Sequence, residues 1–340
     1  MIERLKNTYL HLQDDLSRSI FRQRLMHEIT GERSCMVDVI KSSDVGRDFV
    51  KQLETLKKDG AQIVIYGAGN VGHRLMECYE EYIFAFVDRN ALTIQTEYAV
   101  YPPEWLKKQE NIYVIPAFGS GTPKFREEVL QYLSEIGISH THIIDVYSIN
   151  KELWGRQYFD LPALTFADDE VFVDCGCFDG ATIQSYEKWK NKPTRGGIIA
   201  FEPDDSMCDF VHTRMPHVKV INAGVWHENG TLRFKDNGGS LMKVADDQGD
   251  SELTVVRMDD ALEGERVTFI KMDVEGAELN ALKGAERIIR EQRPKLAICV
   301  YHKPEDMLEI PALILSYHQD YRLYLRHYSV QTNETVLYTL

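Results

Sequence analysis

Five polar residues stand at the ends of apolar runs in the second half of the chain: Asp174, Glu202, Asn222, Asp273 and His302. Each run reads as a buried strand, and each polar end is followed by a turn. In an open α/β sheet, ligands bind in the crevice outside the carboxyl ends of the strands, so the five residues belong to one candidate site. The first run is VFVDCGCFDG, residues 171–180. It gives a strand, an acid (Asp174), two glycines (Gly176 and Gly180) and a helix start at Ala181-Thr182-Ile183. The glycines let backbone approach a ligand closely, and the helix start offers free N–H groups to an anionic part of one. Asp174 occupies a position that is normally apolar in a dinucleotide loop. It suits a cofactor with cationic groups, such as S-adenosylmethionine (SAM), which carries an ammonium and a sulfonium. The plain alternative is a strand followed by an ordinary glycine turn, and acids at strand ends also cap helices.

The other strand ends divide by position. Glu202, about 28 positions after Asp174, has the geometry to accept both hydroxyls of a ribose. Asn222 can hydrogen-bond near an adenine edge. Asp273 and His302 lie where the reactive end of a cofactor points, with Glu275 close by. An alcohol needs its proton removed, or a metal to lower its pKa, before it is a good nucleophile. Histidine is the side chain whose ordinary pKa suits a base near neutral pH, so His302 is the expected base, with Asp273 orienting the acceptor or the imidazole. No run of three closely spaced oxygen ligands shows in the sequence, so the expectation is metal-free. A divalent cation anchored at Asp273 and Glu275 is the alternative. The bland readings are a solvent-facing His302 opening the Lys303-Pro304-Glu305 turn, and Glu275 as a first-turn helix cap.

A second glycine loop lies earlier. The strand Gln62-Ile63-Val64-Ile65-Tyr66 runs into Gly67-Ala68-Gly69-Asn70-Val71-Gly72, and a second strand ends at Asp88, about 20 residues on. That is a GxGxxG fingerprint in strand–turn–helix context, with Gly67, Gly69, Gly72 and Asp88 as candidate nucleotide contacts. No second half with a hydride-transfer site follows, so a domain kept for packing or partner contact is the competing reading.

These residues need elements to hold them. Residues 1–59 read as a helical segment, a cap or an oligomer contact. Residues 60–149 read as a small Rossmann-like α/β domain, with further strands at Ile112–Ile115, before Gly119-Ser120-Gly121, and at His142–Val146. Residues 150–169 form a connector, and residues 170–340 a second α/β domain. Its last two strands, Tyr321–Tyr328 and Thr335–Leu340, read as a hairpin at the sheet edge.

Composition narrows the partners. The 340 residues carry a formal charge of -14, against a nucleic-acid backbone, and no apolar run is long enough to span a membrane. The six cysteines show no CxxC pair or disulfide spacing, and the start has no signal-peptide core, so a reducing cytoplasmic location is expected.

The run from VFVDCGCFDG through AFEPD and INAGV to IKMDVEGAELNALKGAERII resembles the FkbM family of SAM-dependent methyltransferases, over about residues 170–302. DVEGAE followed by LKGA is the most specific part. The resemblance implies a class I methyltransferase fold with a seven-stranded sheet, preceded here by the smaller Rossmann-like domain and the helical segment. It implies SAM as cofactor and methyl transfer to an oxygen, often a hydroxyl of a sugar or natural product. By the same resemblance Asp174, Gly176 and Gly180 form the methionine-side loop, Glu202 holds the ribose, and Asn222 with Ala223 flanks the adenine. Cys177 departs from the glycine or alanine of many such loops, but is small enough for the loop to close. The front domain lies outside the matching region and looks like those of some FkbM-type proteins and sugar-modifying enzymes. The expected function is thus methyl transfer to a small-molecule or glycan hydroxyl, with Asp273, His302 and Glu275 as catalytic candidates. The alternatives are a nucleotide- or NAD-dependent sugar-modifying enzyme run from the Gly67 loop, and a SAM-binding module without turnover. The acceptor's far wall is expected from the Gly238-Gly239-Ser240 loop and the front domain.

Overall fold

A computed structural model describes residues 2–117, 123–191, 195–236, 242–244 and 251–340. Contacts divide the chain into two compact units, one of Arg22–Gly155 with His327–Asn333, the other of Met1–Phe21, Arg156–Arg326 and Glu334–Leu340. The Gly119–Gly121 and Gly238–Ser240 segments lie outside the described residues. Among the described residues, no helix is long and apolar enough to cross a membrane.

The first of these units holds a four-stranded sheet built from β1 (Gln62–Tyr66), β2 (Ile83–Val87), β3 (Val100–Tyr101) and β4 (Ile112–Pro116), in the order β3-β2-β1-β4. All its pairings are parallel. Ile63, Val64 and Ile65 are fully buried, as a parallel strand covered on both faces requires. The strand expected at His142–Val146 does not form. Ile143 makes a single bridge to Val114, and a helix, Val146–Trp154, begins at once. The cause is Asp145, whose carboxylate accepts the Ser148 N–H and hydroxyl and so caps a helix where the apolar run suggested strand.

The other unit supplies the remaining strands. They are β5 (Phe172–Cys175), β6 (Ile198–Phe201), β7 (Lys219–Ile221), β8 (Gly224–Trp226), β9 (Gly230–Asp236), β10 (Met242–Val244) and β11 (Ser251–Arg257). After them come β12 (Phe269–Met272), β13 (Lys295–Cys299), β14 (Leu323–His327) and β15 (Thr335–Thr339). Seven form one sheet in the order β14-β15-β13-β12-β5-β6-β7, and β8 to β11 form a separate four-stranded sheet. In the large sheet β5, β6, β7, β12 and β13 are parallel neighbours, and β15 runs antiparallel to β13. The closing pair lies at the edge of the sheet, as expected from the sequence. β15 is flanked on both sides, and β14 takes the edge, where Arg322 and Leu340 exchange backbone hydrogen bonds of 3.1 Å.

The start of the chain belongs to this unit. Leu12 bridges Leu323 in parallel, Gln13 N–H donates to the Leu323 carbonyl at 3.0 Å, and Ser17 Oγ accepts the Leu325 N–H at 2.9 Å. Arg326 closes the contact on Asp14 at 2.8 Å.

Candidate active site

The parallel register of β5 on β12 sets Asp174 opposite Lys271. Both side chains are buried, at 0% and 2% exposure, with Lys271 Nζ 2.9 Å from Asp174 Oδ1. The lysine's hydrogen bonds go elsewhere, to the carbonyls of Gly176 at 2.8 Å and Cys175 at 3.4 Å. Its contact with Asp174 is a buried ion pair. Burial raises the Asp174 pKa, against the pull of Lys271. Burial alone would lower Lys271, but Asp174 and Asp273 hold it above its ordinary range. Asp174 thus lies within the strand, one residue before its end, and Lys271 ties it to the glycine turn.

The turn needs its glycines. Gly176 has φ +75°, and a Cβ there would lie 2.0 Å from the Asp273 carbonyl oxygen. Gly180, at φ +77°, caps the helix Ala181–Lys190. Between them, the Phe178 N–H donates to Glu202 Oε2 at 2.9 Å, while Glu202 Oε1 accepts from Asp204 N–H at 3.0 Å. Glu202, 6% exposed, therefore staples the turn to the end of β6. Burial raises its pKa, and the two N–H bonds oppose the rise. Asn222 is exposed and donates to Asp205 at the first turn of the helix Asp205–Arg214, whereas Ala223 is buried.

The ends of β12 and β13 bring together the catalytic candidates. His302 Nε2 lies 3.5 Å from Asp273 Oδ1 and 3.5 Å from Glu275 Oε2. Its Nδ1 lies 2.9 Å from Glu278 Oε1, which also accepts the Val274 N–H at 2.9 Å. His302 is not solvent-facing, with a side-chain exposure of 6%. The fold thus assembles two carboxylates and an imidazole where the sequence showed no three-ligand run. Asp273 Oδ2 accepts the Tyr158 hydroxyl at 3.0 Å, and the Tyr301 hydroxyl lies 3.4 Å from Oδ1 and 3.4 Å from Glu334 Oε1. Burial pulls the His302 pKa down, but Glu278, Asp273 and Glu275 outweigh it and lift it to about 9. Burial pushes Glu275 up to about 7, with His302 opposing and Asp273 adding to the rise.

In the Rossmann-like unit the Gly67–Gly72 loop closes on itself. Asp88 accepts the Ala68 N–H at 2.9 Å and the Asn90 N–H at 2.8 Å. Gly67 has φ +110°, and a Cβ on Gly72 would lie 1.9 Å from the Gly67 carbonyl oxygen. A Cβ on Gly69 would meet nothing within 4 Å.

Lys271, Tyr158, Glu278 and Glu334 are site residues that the sequence reading did not single out. For Lys271 a signal existed, since a lysine inside a strand buried on both faces requires a charge partner. Glu278 reads as ordinary helix surface, and Tyr158 and Glu334 come from a connector and a turn.

The class defined by this sheet order and crevice is the class I methyltransferase. Residues 174–330 match the family model of the Methyltransferase FkbM domain. A methyltransferase FkbM from Methylobacillus flagellatus KT shares the fold at a TM-score of 0.51 and 20% identity, over 87% of this chain and 99% of that one. Aeropyrum pernix fibrillarin, solved with S-adenosyl-L-methionine natively bound, is similar at a TM-score of 0.36 and 12% identity, over 56% of this chain and 74% of its own. No curated protein sequence matches the chain.

Proposed function

We propose that this chain is a SAM-dependent O-methyltransferase acting on a hydroxyl of a small molecule or glycan. The observation that carries the reading is the glycine turn after β5, stapled to the end of β6 by Glu202 and underlain by the buried Asp174–Lys271 pair. A glycine turn at a strand end lets a cofactor approach the backbone closely, and the helix that follows it offers free N–H groups. In this reading Asp174, Gly176 and Gly180 hold the methionine side, Glu202 the ribose, and Asn222 and Ala223 flank the adenine. SAM, when bound, supplies an electrophilic methyl group.

The chain's part is to place the acceptor and take its proton. Asp273 accepts the hydroxyl's hydrogen bond, held by Tyr158 on its other oxygen. The proton goes to the Asp273 carboxylate, with His302 Nε2 3.5 Å from its Oδ1. The hydroxyl oxygen would form the new C–O bond as the methyl–sulfur bond of the sulfonium breaks, the pair leaving on sulfur as the neutral thioether of S-adenosylhomocysteine and the O–H proton going to Asp273.

Calorimetric titration with SAM tests the reading. Glu202→Ala removes a charge-assisted contact of about 1.5–3 kcal/mol, so affinity should fall roughly ten- to a hundred-fold. Wild-type affinity in a folded Glu202→Ala protein overturns the site. Failure to form S-adenosylhomocysteine with any hydroxylated acceptor, while SAM binds, leaves a binding module and overturns the enzyme.

A further inference from the structure

The His302 ring is buried at 6% exposure, yet its Nε2 has no hydrogen-bond partner and points between Asp273 Oδ1 and Glu275 Oε2, each 3.5 Å away. Glu275 Oε2 is also buried and without a hydrogen-bond partner. One ligand atom from each residue lies within 4.8 Å of the other two. Ligand atoms about 2.1 Å from a shared ion at tetrahedral angles stand about 3.4 Å apart, which is the nitrogen–oxygen spacing found here.

The surroundings fit the same occupant. Glu278 lies 2.9 Å from His302 Nδ1, the carboxylate–histidine arrangement that orients an imidazole toward a metal. Tyr158 engages Asp273 Oδ2 at 3.0 Å and leaves Oδ1 turned to the imidazole. Tyr301 makes only a long 3.4 Å contact with that oxygen. Three carboxylates, Asp273, Glu275 and Glu278, surround the single imidazole.

We propose that Asp273, Glu275 and His302 form a binding site for a divalent transition metal of the Mn²⁺ or Zn²⁺ class. The mixed nitrogen and oxygen donors favour these ions over Ca²⁺ and Mg²⁺, which prefer all-oxygen sites, and the set contains no thiolate. Three protein ligands leave coordination open, as in catalytic rather than structural sites. The role as activator of an acceptor hydroxyl rests on the proposed methyl transfer; metal binding itself does not.

The test uses the full chain after EDTA treatment, titrated calorimetrically with Mn²⁺ and with Zn²⁺, and pulsed EPR of bound Mn²⁺. A single saturable site is expected, with a ¹⁴N coupling from the imidazole. Glu275→Gln and His302→Gln should each weaken binding at least about tenfold, and His302→Gln should abolish the ¹⁴N coupling. Glu278→Gln, which leaves the ligands in place, should weaken it about ten- to a hundred-fold. The site is overturned if the folded wild type shows no saturable binding at millimolar metal. It is equally overturned if Glu275→Gln and His302→Gln bind like wild type. SAM titration of the same metal-free protein keeps the readings apart: SAM binding without metal binding sinks only the metal site, and the reverse sinks only the SAM site.

Discussion

Gly176 packs against the backbone of Asp273, so that a Cβ on Gly176 would lie 2.0 Å from the Asp273 carbonyl oxygen. The glycine turn after β5 is thereby locked to the strand end that carries the acid cluster. Gly176→Ala must push two backbones apart and hold a left-handed residue, a cost of about 1–3 kcal/mol for the strain alone. Gly180→Ala carries similar strain at φ +77°, but its Cβ meets the flexible end of Met215 at 2.1 Å. Urea unfolding should show the larger loss at Gly176. Equal losses would mean that the Asp273 contact costs nothing.

Lys271→Met should destabilise by about 3–5 kcal/mol, because it strands Asp174 in the core. Adding Asp174→Asn should recover part of that loss, since the remaining group is uncharged. Denaturant midpoints of the two single variants and the double variant give the coupling. Strict additivity would show that the 2.9 Å ion pair does not matter to stability.

The Gly67 loop should be dispensable for methyl transfer. Asp88 is engaged by two backbone N–H groups, and the space around Gly69 is open. Gly69→Val should therefore fold, and it would block close approach of a pyrophosphate. Near-normal turnover is expected. Collapse of turnover with SAM binding intact would place the acceptor on this loop and overturn the assignment.

Acid should loosen the Rossmann-like unit through His327. Burial, then the charge of Arg24, depresses its pKa to about 3 from an ordinary 6.5. The folded chain keeps this histidine neutral while the unfolded chain protonates it, so stability is full above about 6.5 and falls as pH drops toward 3. The loss is at most about 1.4 kcal/mol per pH unit in that window. Thermal melts from neutral to mildly acidic pH should show a shallower decline for His327→Gln than for wild type. Identical slopes would contradict the burial argument.

Much of the architecture was legible because buried parallel strands write themselves as apolar runs with a polar end, as in the stretches ending at Glu202 and Asp273. Asp145 was misread because its run is equally apolar, and only the position of Ser148 beside the carboxylate decides for a helix. The cluster at His302 was legible residue by residue but not as a cluster. Its 3.5 Å spacings depend on the register of β12 on β13, which strand pairing sets and spacing along the chain does not. The Lys271–Asp174 pair was hidden for the same reason, since the partners lie 97 positions apart (271 − 174) and meet only across a ladder.

The pairing of Leu12 with Leu323 has a consequence during synthesis. A ribosome adds about 5–20 residues per second, so the first helices wait roughly 15–60 s for the strand they pack against. β14 must in turn await β15, which follows it in the chain, before it has a neighbour in the sheet. Leu12, fully buried in the finished fold, is without its partner strand throughout that interval. The unit that carries the seven-stranded sheet therefore completes itself only after residues 335–339 have been made, and residues 2–21 are the part most dependent on protection until then.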